Sequence, residues 1–372
     1  MALDPSGRSF RKLLSAAAVC GAATFAGVQI FRKMRAFHAV RPELRSRRLF
    51  FPLSATNRLK TRIISSLFSR PTQLPPGVAV SESIVTFSSL HIESETLLLQ
   101  KYWDICEPVR SMFDSIRVRN YLPCANGGAR KNLTSNAIDG VIVWFHGGGL
   151  ISGSYSNSDR YCGQLAKDTN CLVVSGEYRC APDFPFPHAF IDCSLALLYG
   201  FEVAKMSGVP LILSGVSAGG GLAAAAAQLA ADVGIPVVFQ ALVYPMLDSR
   251  TGKRAFAGRG DFVWKPSANR FGWTSYLQGI DAIRNLPISQ YAIPARRGEY
   301  RNLAPAWIGC GDLDLFFDEN KKYAQRLRDS GVHTTFYTVE GMYHGADMSV
   351  PHAPAMRDFY QSMLQEIRRV TN

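Results

Sequence analysis

Short apolar runs recur along this chain, each bounded by glycine, proline or polar turns, with longer stretches of helical spacing between them. Ile116 to Tyr121, Val141 to Phe145, Cys171 to Ser175, Val209 to Leu213, Val237 to Tyr244, Ala306 to Cys310 and His333 to Val339 read as strands. Thr96 to Cys106, Asp159 to Lys167, Ala189 to Glu202, Ala218 to Ala231, Asp318 to Asp329 and Pro354 to Val370 read as helices. Strands alternating with helices predict an α/β domain with a mainly parallel central sheet covered on both faces. Between Asp248 and Ala304 the alternation stops. That stretch carries Phe256, Phe262, Trp264, Phe271, Trp273 and Tyr276, and it predicts an insertion above the sheet. The cap is expected from about residues 76–112 and 249–303.

The N-terminal part follows another pattern. Leu13 to Phe31 is a 19-residue stretch without a charge, flanked by Arg8, Arg11 and Lys12 and by Arg32, Lys33 and Arg35. That length just spans a bilayer. The expectation is a single-pass anchor, with membrane association through residues 13–31 and placement in the endoplasmic reticulum. A basic, acid-poor mitochondrial presequence and a cleaved secretory signal are the competing readings. Arg58 to Arg70 is a second basic, amphipathic piece, and Pro71 to Pro76 break the chain. The expected division is therefore an N-terminal segment and basic arm over residues 1–75, then a globular domain over 76–372.

Charge sharpens this division. Of the 41 lysines and arginines, 14 fall in residues 1–70, against 2 of the 29 acidic residues, so the body carries equal numbers of each. The net charge of +12 thus belongs to the arm, and the body has no electrostatic case for binding nucleic acid. The eight cysteines show no metal-ligand spacing.

The chemistry centres on Gly215-Val216-Ser217-Ala218-Gly219, between an apolar run and an Ala-rich run. This is G-x-S-x-G in strand–turn–helix order, the pattern of a nucleophile elbow. Glycines at 215 and 219 let neighbouring backbone pass close to a strained turn. An activated serine needs a base, and the base needs an orienting acid. His344, in Glu340-Gly-Met-Tyr-His-Gly345, follows the last strand, where a loop reaches over the C-terminal edge of the sheet. His333 starts that strand, at the wrong end. The acid is expected in Gly311-Asp-Leu-Asp-Leu-Phe-Phe-Asp318. Asp314 is favoured, Asp312 stands behind it, and Asp318 reads as the N-cap of the next helix. His146-Gly147-Gly148-Gly149 follows the strand Val141 to Phe145. Its glycines can turn backbone N–H groups toward a substrate oxygen with no Cβ in the way. His146 itself reads as structural.

HGGG, Glu177-Tyr-Arg-Cys-Ala-Pro-Asp183, GxSAGG, GxxD and HG, in this order, resemble the hormone-sensitive lipase family of α/β-hydrolases over about residues 115–370. The hydrophobic N-terminus is similar to that of the arylacetamide deacetylases and neutral cholesterol ester hydrolases. The resemblance implies an α/β-hydrolase fold, Ser217 as nucleophile, His344 as base and Asp314 as orienting acid. It implies oxyanion donors from Gly148, Gly149 and Ala218, and support from Tyr178 and Arg179 beneath the site. Val216 replaces the family's usual Asp or Thr, Leu315 its proline after the acid, and Ala346 its aromatic after His-Gly. The implied activity is hydrolysis of a small-molecule ester or lipid, neutral and apolar, of short to medium acyl length, with no cofactor and no metal. An amidase or deacetylase, or a ligand-binding receptor derived from a hydrolase, are the rival readings. The oligomeric state is not encoded in these motifs.

Overall fold

The structure is a computed structural model, and it describes residues 30–46, 49, 55–68, 72–92, 96–124, 138–253 and 258–371. Its strands are β1 (Val78–Thr86), β2 (Ser115–Pro123), β3 (Val141–Phe145), β4 (Leu172–Gly176), β5 (Leu211–Val216), β6 (Val237–Val243), β7 (Ala306–Gly311) and β8 (Thr334–Val339). They form one sheet in the order β1-β2-β4-β3-β5-β6-β7-β8. β1 and β2 run antiparallel to each other, as do β2 and β4; all pairings from β4 to β8 are parallel. The expected α/β-hydrolase architecture is thus present.

The helices are α1 (residues 30–39), α2 (Arg58–Phe68), α3 (Thr96–Cys106), α4 (Asp159–Thr169), α5 (His188–Ser207), α6 (Ala218–Val233), α7 (Pro266–Tyr276), α8 (Phe317–Asp329), α9 (Ala346–Ser349) and α10 (Pro354–Thr371). Successive side chains of a strand point to opposite faces, and both faces of the central strands are buried. Val141, Val143 and Phe145 join one core with Leu211, Leu213, Phe190 and Leu222. Ile142 and Trp144 join the other with Val173, Ile212, Leu165, Phe359 and Met363. This double burial is why β3, β4 and β5 read as continuous apolar runs.

Three departures from the sequence reading have physical causes. Val78–Thr86, expected in the cap, is an edge strand of the sheet. Its apolar residues are interrupted by Ser81-Glu-Ser83, and only Val85 in it is fully buried, so its pattern is faint. The basic arm is not wholly outside the body. Val40, Leu44 and Leu49 are buried in the second core, the Arg41 N–H donates to the Gly341 carbonyl, and Glu43 accepts from the Ala355 N–H. Val40 and Leu44 stand four apart among charges, which hid them. Asp318 is not an N-cap, because α8 starts at Phe317 with Phe316 in the capping position. Asp318 pairs instead with Arg259 at 2.6 Å.

The anchor expectation is corrected as well. Among the described residues no helix is long and apolar enough to cross a membrane. The stretch that suggested one, residues 13–31, lies outside the described residues except for Ile30 and Phe31.

Beyond β6 the chain leaves the sheet. The expected cap residues 258–303 form α7 and short 3-10 turns at Ile280–Ile283, Pro287–Ala292 and Pro294–Arg296. Phe262, Trp273 and Tyr276 are buried there; Phe256 lies outside the described residues.

Candidate active site

The turn between β5 and α6 puts Ser217 at φ +57°, ψ −119°. A non-glycine residue in that region is strained, and the strain is fixed on both sides. The Ser217 N–H donates to the Val243 carbonyl at 2.8 Å, and its carbonyl accepts from the N–H groups of Gly221 and Met246. The flanking glycines are required by space. A Cβ on Gly215 would lie 2.4 Å from the Gly219 carbonyl oxygen, and one on Gly219 would lie 2.1 Å from that of Phe145.

His344 comes from the loop after β8, as its place in the sequence predicted. Its Nε2 is 3.0 Å from Ser217 Oγ, and its Nδ1 is 2.8 Å from Asp314 Oδ2. The other oxygen of Asp314 accepts from the Phe316 N–H at 2.9 Å. Asp314 is fully buried, while Ser217 and His344 are each 6% exposed. Asp312 takes another role: its carboxylate accepts from the Gly341 N–H at 2.7 Å, tying the loop after β7 to the loop after β8. The structure therefore brings Ser217, His344 and Asp314 into one hydrogen-bonded row and leaves Asp312 and Asp318 outside it.

The glycine loop lies beside this row. Gly148 and Gly149 have φ of +129° and +64°, conformations that glycine adopts without a steric penalty. Among the described residues, the N–H groups of Gly148, Gly149 and Ala218 donate to no protein acceptor. A Cβ on Gly147 would touch Val216 and Ser217 at 3.3–3.5 Å, which brings the loop against the elbow. His146 is buried, its ring stacked 4.1 Å from that of Tyr178 and its Nδ1 2.7 Å from the Gly147 carbonyl. Burial lowers its pKa, so it is a neutral ring that shapes the loop. The Tyr178 hydroxyl donates to the His146 carbonyl at 2.8 Å. Arg179 forks onto Asp192 at 2.9 and 2.7 Å, tying the turn after β4 to α5.

Some neighbours of the site were missed by the sequence reading or named without a role. Three rings surround His344: Tyr244 at 4.7 Å, Phe316 at 5.2 Å and Trp264 at 6.4 Å between centroids. Tyr244 follows β6 at the C-terminal edge of the sheet, a position that marks site residues in parallel sheets. Its hydroxyl donates to Asp347 at 2.6 Å. Glu319 is a buried carboxyl that accepts from the Leu247 N–H at 2.7 Å and from the Thr251 hydroxyl; burial raises its pKa well above the usual range. Nothing in the sequence distinguished it from the other charges of α8. A small cavity of about 10 Å³ adjoins Ala218, with Leu150, Leu222, Ala225, Met246 and Trp273 in its walls.

Comparison with known proteins places this geometry. The model of the alpha/beta hydrolase fold family matches residues 142–348. Esterase LipI of Mycobacterium tuberculosis is 31% identical over 209 residues, which is 55% of this chain and 65% of the relative. Carboxylesterase NlhH of the same species is 32% identical over 215 residues, 55% of this chain and 66% of the relative. The chain thus spans just under two thirds of the length of both. The solved structure of a bacterial heroin esterase superposes with a TM-score of 0.72 at 26% identity, covering 90% of this chain and 99% of the other. These relatives are bacterial esterases, and they lend no support to the expected placement in the endoplasmic reticulum or mitochondrion.

Proposed function

Because the chain belongs to the α/β-hydrolase family, we propose that it is a serine carboxylic-ester hydrolase in which Ser217, His344 and Asp314 act together. The observation that carries this reading is the Ser217–His344–Asp314 row, with contacts of 3.0 and 2.8 Å, beside a glycine loop in which the N–H groups of Gly148 and Gly149 have no acceptor among the described residues. Ser217 Oγ attacks the ester carbonyl carbon while His344 Nε2 takes the hydroxyl proton. Asp314 accepts from Nδ1–H, which fixes the tautomer and offsets the positive charge on the ring. The carbonyl oxygen becomes an oxyanion, met by the N–H groups of Gly148, Gly149 and Ala218. Its collapse expels the alcohol, which takes the proton from His344 and leaves an acyl-Ser217. Water then attacks the acyl carbon, giving its proton to His344. The acid departs, and the proton returns to Ser217.

The substrate is a neutral, apolar ester with a short acyl group. The cavity beside Ala218 supports this, because its walls are chiefly apolar and its free volume of about 10 Å³ is close to that of one water probe. It is narrower than the short-to-medium range expected from sequence. Longer chains would have to displace Leu222 or Trp273, both buried.

The test uses the purified full chain, since Val40, Leu44 and Leu49 pack on the body. Hydrolysis of p-nitrophenyl acetate by wild type and its loss in Ser217→Ala are expected. Equal activity in the two proteins would refute the reading. Across p-nitrophenyl esters from acetate to palmitate, kcat/KM is expected to peak at the short end. A maximum at long chains would refute the acyl assignment alone.

A further inference from the structure

The segment from Gly260 to Trp264 connects the cap to all three parts of the site. The Gly260 N–H donates to the Leu313 carbonyl, and the Phe262 ring packs 6.1 Å from that of Tyr343. Trp264 goes further in. A Cβ placed on Gly149 would lie 2.0 Å from Cη2 of Trp264, so the indole already rests against the backbone of the glycine loop. The same ring stands 6.4 Å from the His344 imidazole, tilted by 38°. Trp264 therefore spans the distance from the glycine loop to the histidine.

The ring is held in that place. Its Nε1–H donates to Asn269 Oδ1 at 3.1 Å. Asn269 is fully buried, and its Nδ2 donates to the Thr251 carbonyl at 2.8 Å. The Thr251 hydroxyl donates in turn to the buried Glu319. On the other flank Val263 has φ +58°, a conformation that β-branched residues almost never adopt. Such strain persists only where the surroundings over-determine it. From α7, Gly272 also presses on the loop, since a Cβ there would lie 2.6 Å from the Gly149 carbonyl oxygen.

We propose that Trp264 is a specificity-determining residue for the alcohol half of the ester, a fixed aromatic wall that favours flat aryl leaving groups over puckered or branched ones. This rests on the hydrolase reading above. The leaving oxygen must take its proton from His344, so the alcohol leaves past the rings around that residue. Of these, Tyr244 and Phe316 are buried, whereas Trp264 is half-buried and retains surface for a ligand. The acyl half has its own cavity beside Ala218. A planar aryl group can stack on an indole in the offset or edge-on arrangements that aromatic pairs prefer; a saturated ring of the same size cannot.

Phenyl acetate and cyclohexyl acetate share an acyl group and a six-membered ring; the phenyl ester is intrinsically the more reactive, and comparing their ratio between variants cancels that difference. In wild type, Trp264→Phe and Trp264→Leu, the ratio of kcat/KM for phenyl to cyclohexyl acetate is the readout. The ratio is expected to stay within threefold in Trp264→Phe, which keeps a ring, and to fall at least tenfold in Trp264→Leu, chiefly through KM for the phenyl ester. Asn269→Ala, which frees the ring without removing it, is expected to lower the ratio in the same direction, and it decides the matter if Trp264→Leu does not fold. A ratio unchanged within twofold in a folded Trp264→Leu, or in Asn269→Ala if the leucine variant is unfolded, overturns the proposal. Hydrolysis abolished by Ser217→Ala in the same series would leave the hydrolase reading intact. Absence of hydrolysis of both esters by wild type would count against that reading instead.

Discussion

Gly219→Ala is the substitution whose effect follows most directly from the backbone. The new Cβ would lie 2.1 Å from the Phe145 carbonyl oxygen and 2.3 Å from that of His146, against 3.4 Å where ordinary contact begins. Both obstacles are backbone, so no rotamer change relieves them. The start of α6 and the end of β3 must separate by about 1 Å, the amount by which the contact falls short. That displacement moves Ser217 and Ala218 relative to Gly148 and Gly149. A misplacement of about 1 Å costs on the order of 100-fold in rate, or about 2.7 kcal/mol of transition-state stabilisation. Overpacking adds roughly 1–3 kcal/mol of lost stability. Gly234→Ala is the control. Its φ is +90° with nothing within 4 Å, so it costs about 1 kcal/mol in backbone strain and nothing in rate. The assay is kcat on p-nitrophenyl acetate, with Tm and circular dichroism as checks on folding. A folded Gly219→Ala with kcat within threefold of wild type would refute the idea that close approach at this glycine holds the site together.

The remaining expectations are simpler. Ser217→Ala and His344→Ala should each lower kcat by roughly six orders of magnitude and Asp314→Asn by roughly four, and Ser217→Ala/His344→Ala should be little worse than either alone. Asp312→Asn should leave kcat within threefold and cost about 1 kcal/mol in urea unfolding, since it weakens only the bond from the Gly341 N–H; the opposite pattern would make Asp312 the orienting acid. Burial raises the pKa of Glu319 well above its ordinary value, so the native state keeps a proton that the unfolded chain releases. Its contribution to stability is therefore lost as pH rises from the unfolded value of about 4.3 toward the folded one, by up to about 1.4 kcal/mol per pH unit. Glu319→Gln should flatten that decline in unfolding curves taken from pH 5 to 8, and an unaltered slope would mean that another group causes it.

How much of this was legible in the sequence depended on the range of the interaction. β3, β4 and β5 announced themselves because both of their faces are buried, which leaves an unbroken apolar run. Ser217 and the glycine loop were legible because their geometry restricts residue type within a few positions. Edge strand β1 was not, since one apolar face diluted by Ser81, Glu82 and Ser83 carries little signal. Val40 and Leu44 were hidden by the arginines around them, and only the fold shows that they close the second core. Trp264 was visible as one of several aromatics in the expected cap, but its neighbours Gly149 and His344 lie about 80 residues away or more on either side of it. No local pattern reports a contact of that range.

The strained residues supply the last link between the fold and its chemistry. Five non-glycine residues among those described have positive φ: Leu150, Asn170, Ser217, Tyr244 and Val263. Asn170 is the C-cap of α4, where asparagine tolerates the left-handed region. The other four surround one point. Leu150 ends the glycine loop, Ser217 is the elbow, Tyr244 carries the ring nearest His344, and Val263 precedes Trp264. Each costs on the order of 1–3 kcal/mol, which no local propensity would select. Ser217 and Tyr244 are bonded directly to sheet strands, and Leu150 and Val263 meet loops that leave the ends of β4 and β8. The Leu150 carbonyl accepts from Ala181, the Ser217 N–H donates to Val243, and the Tyr244 N–H donates to Gly309, while Val263 approaches Gly345 beside His344. A scaffold that rigid can keep the serine, the histidine and the aromatic wall in one arrangement before any ester arrives. Rigid placement of this kind removes the reorganisation that would otherwise accompany attack on the carbonyl.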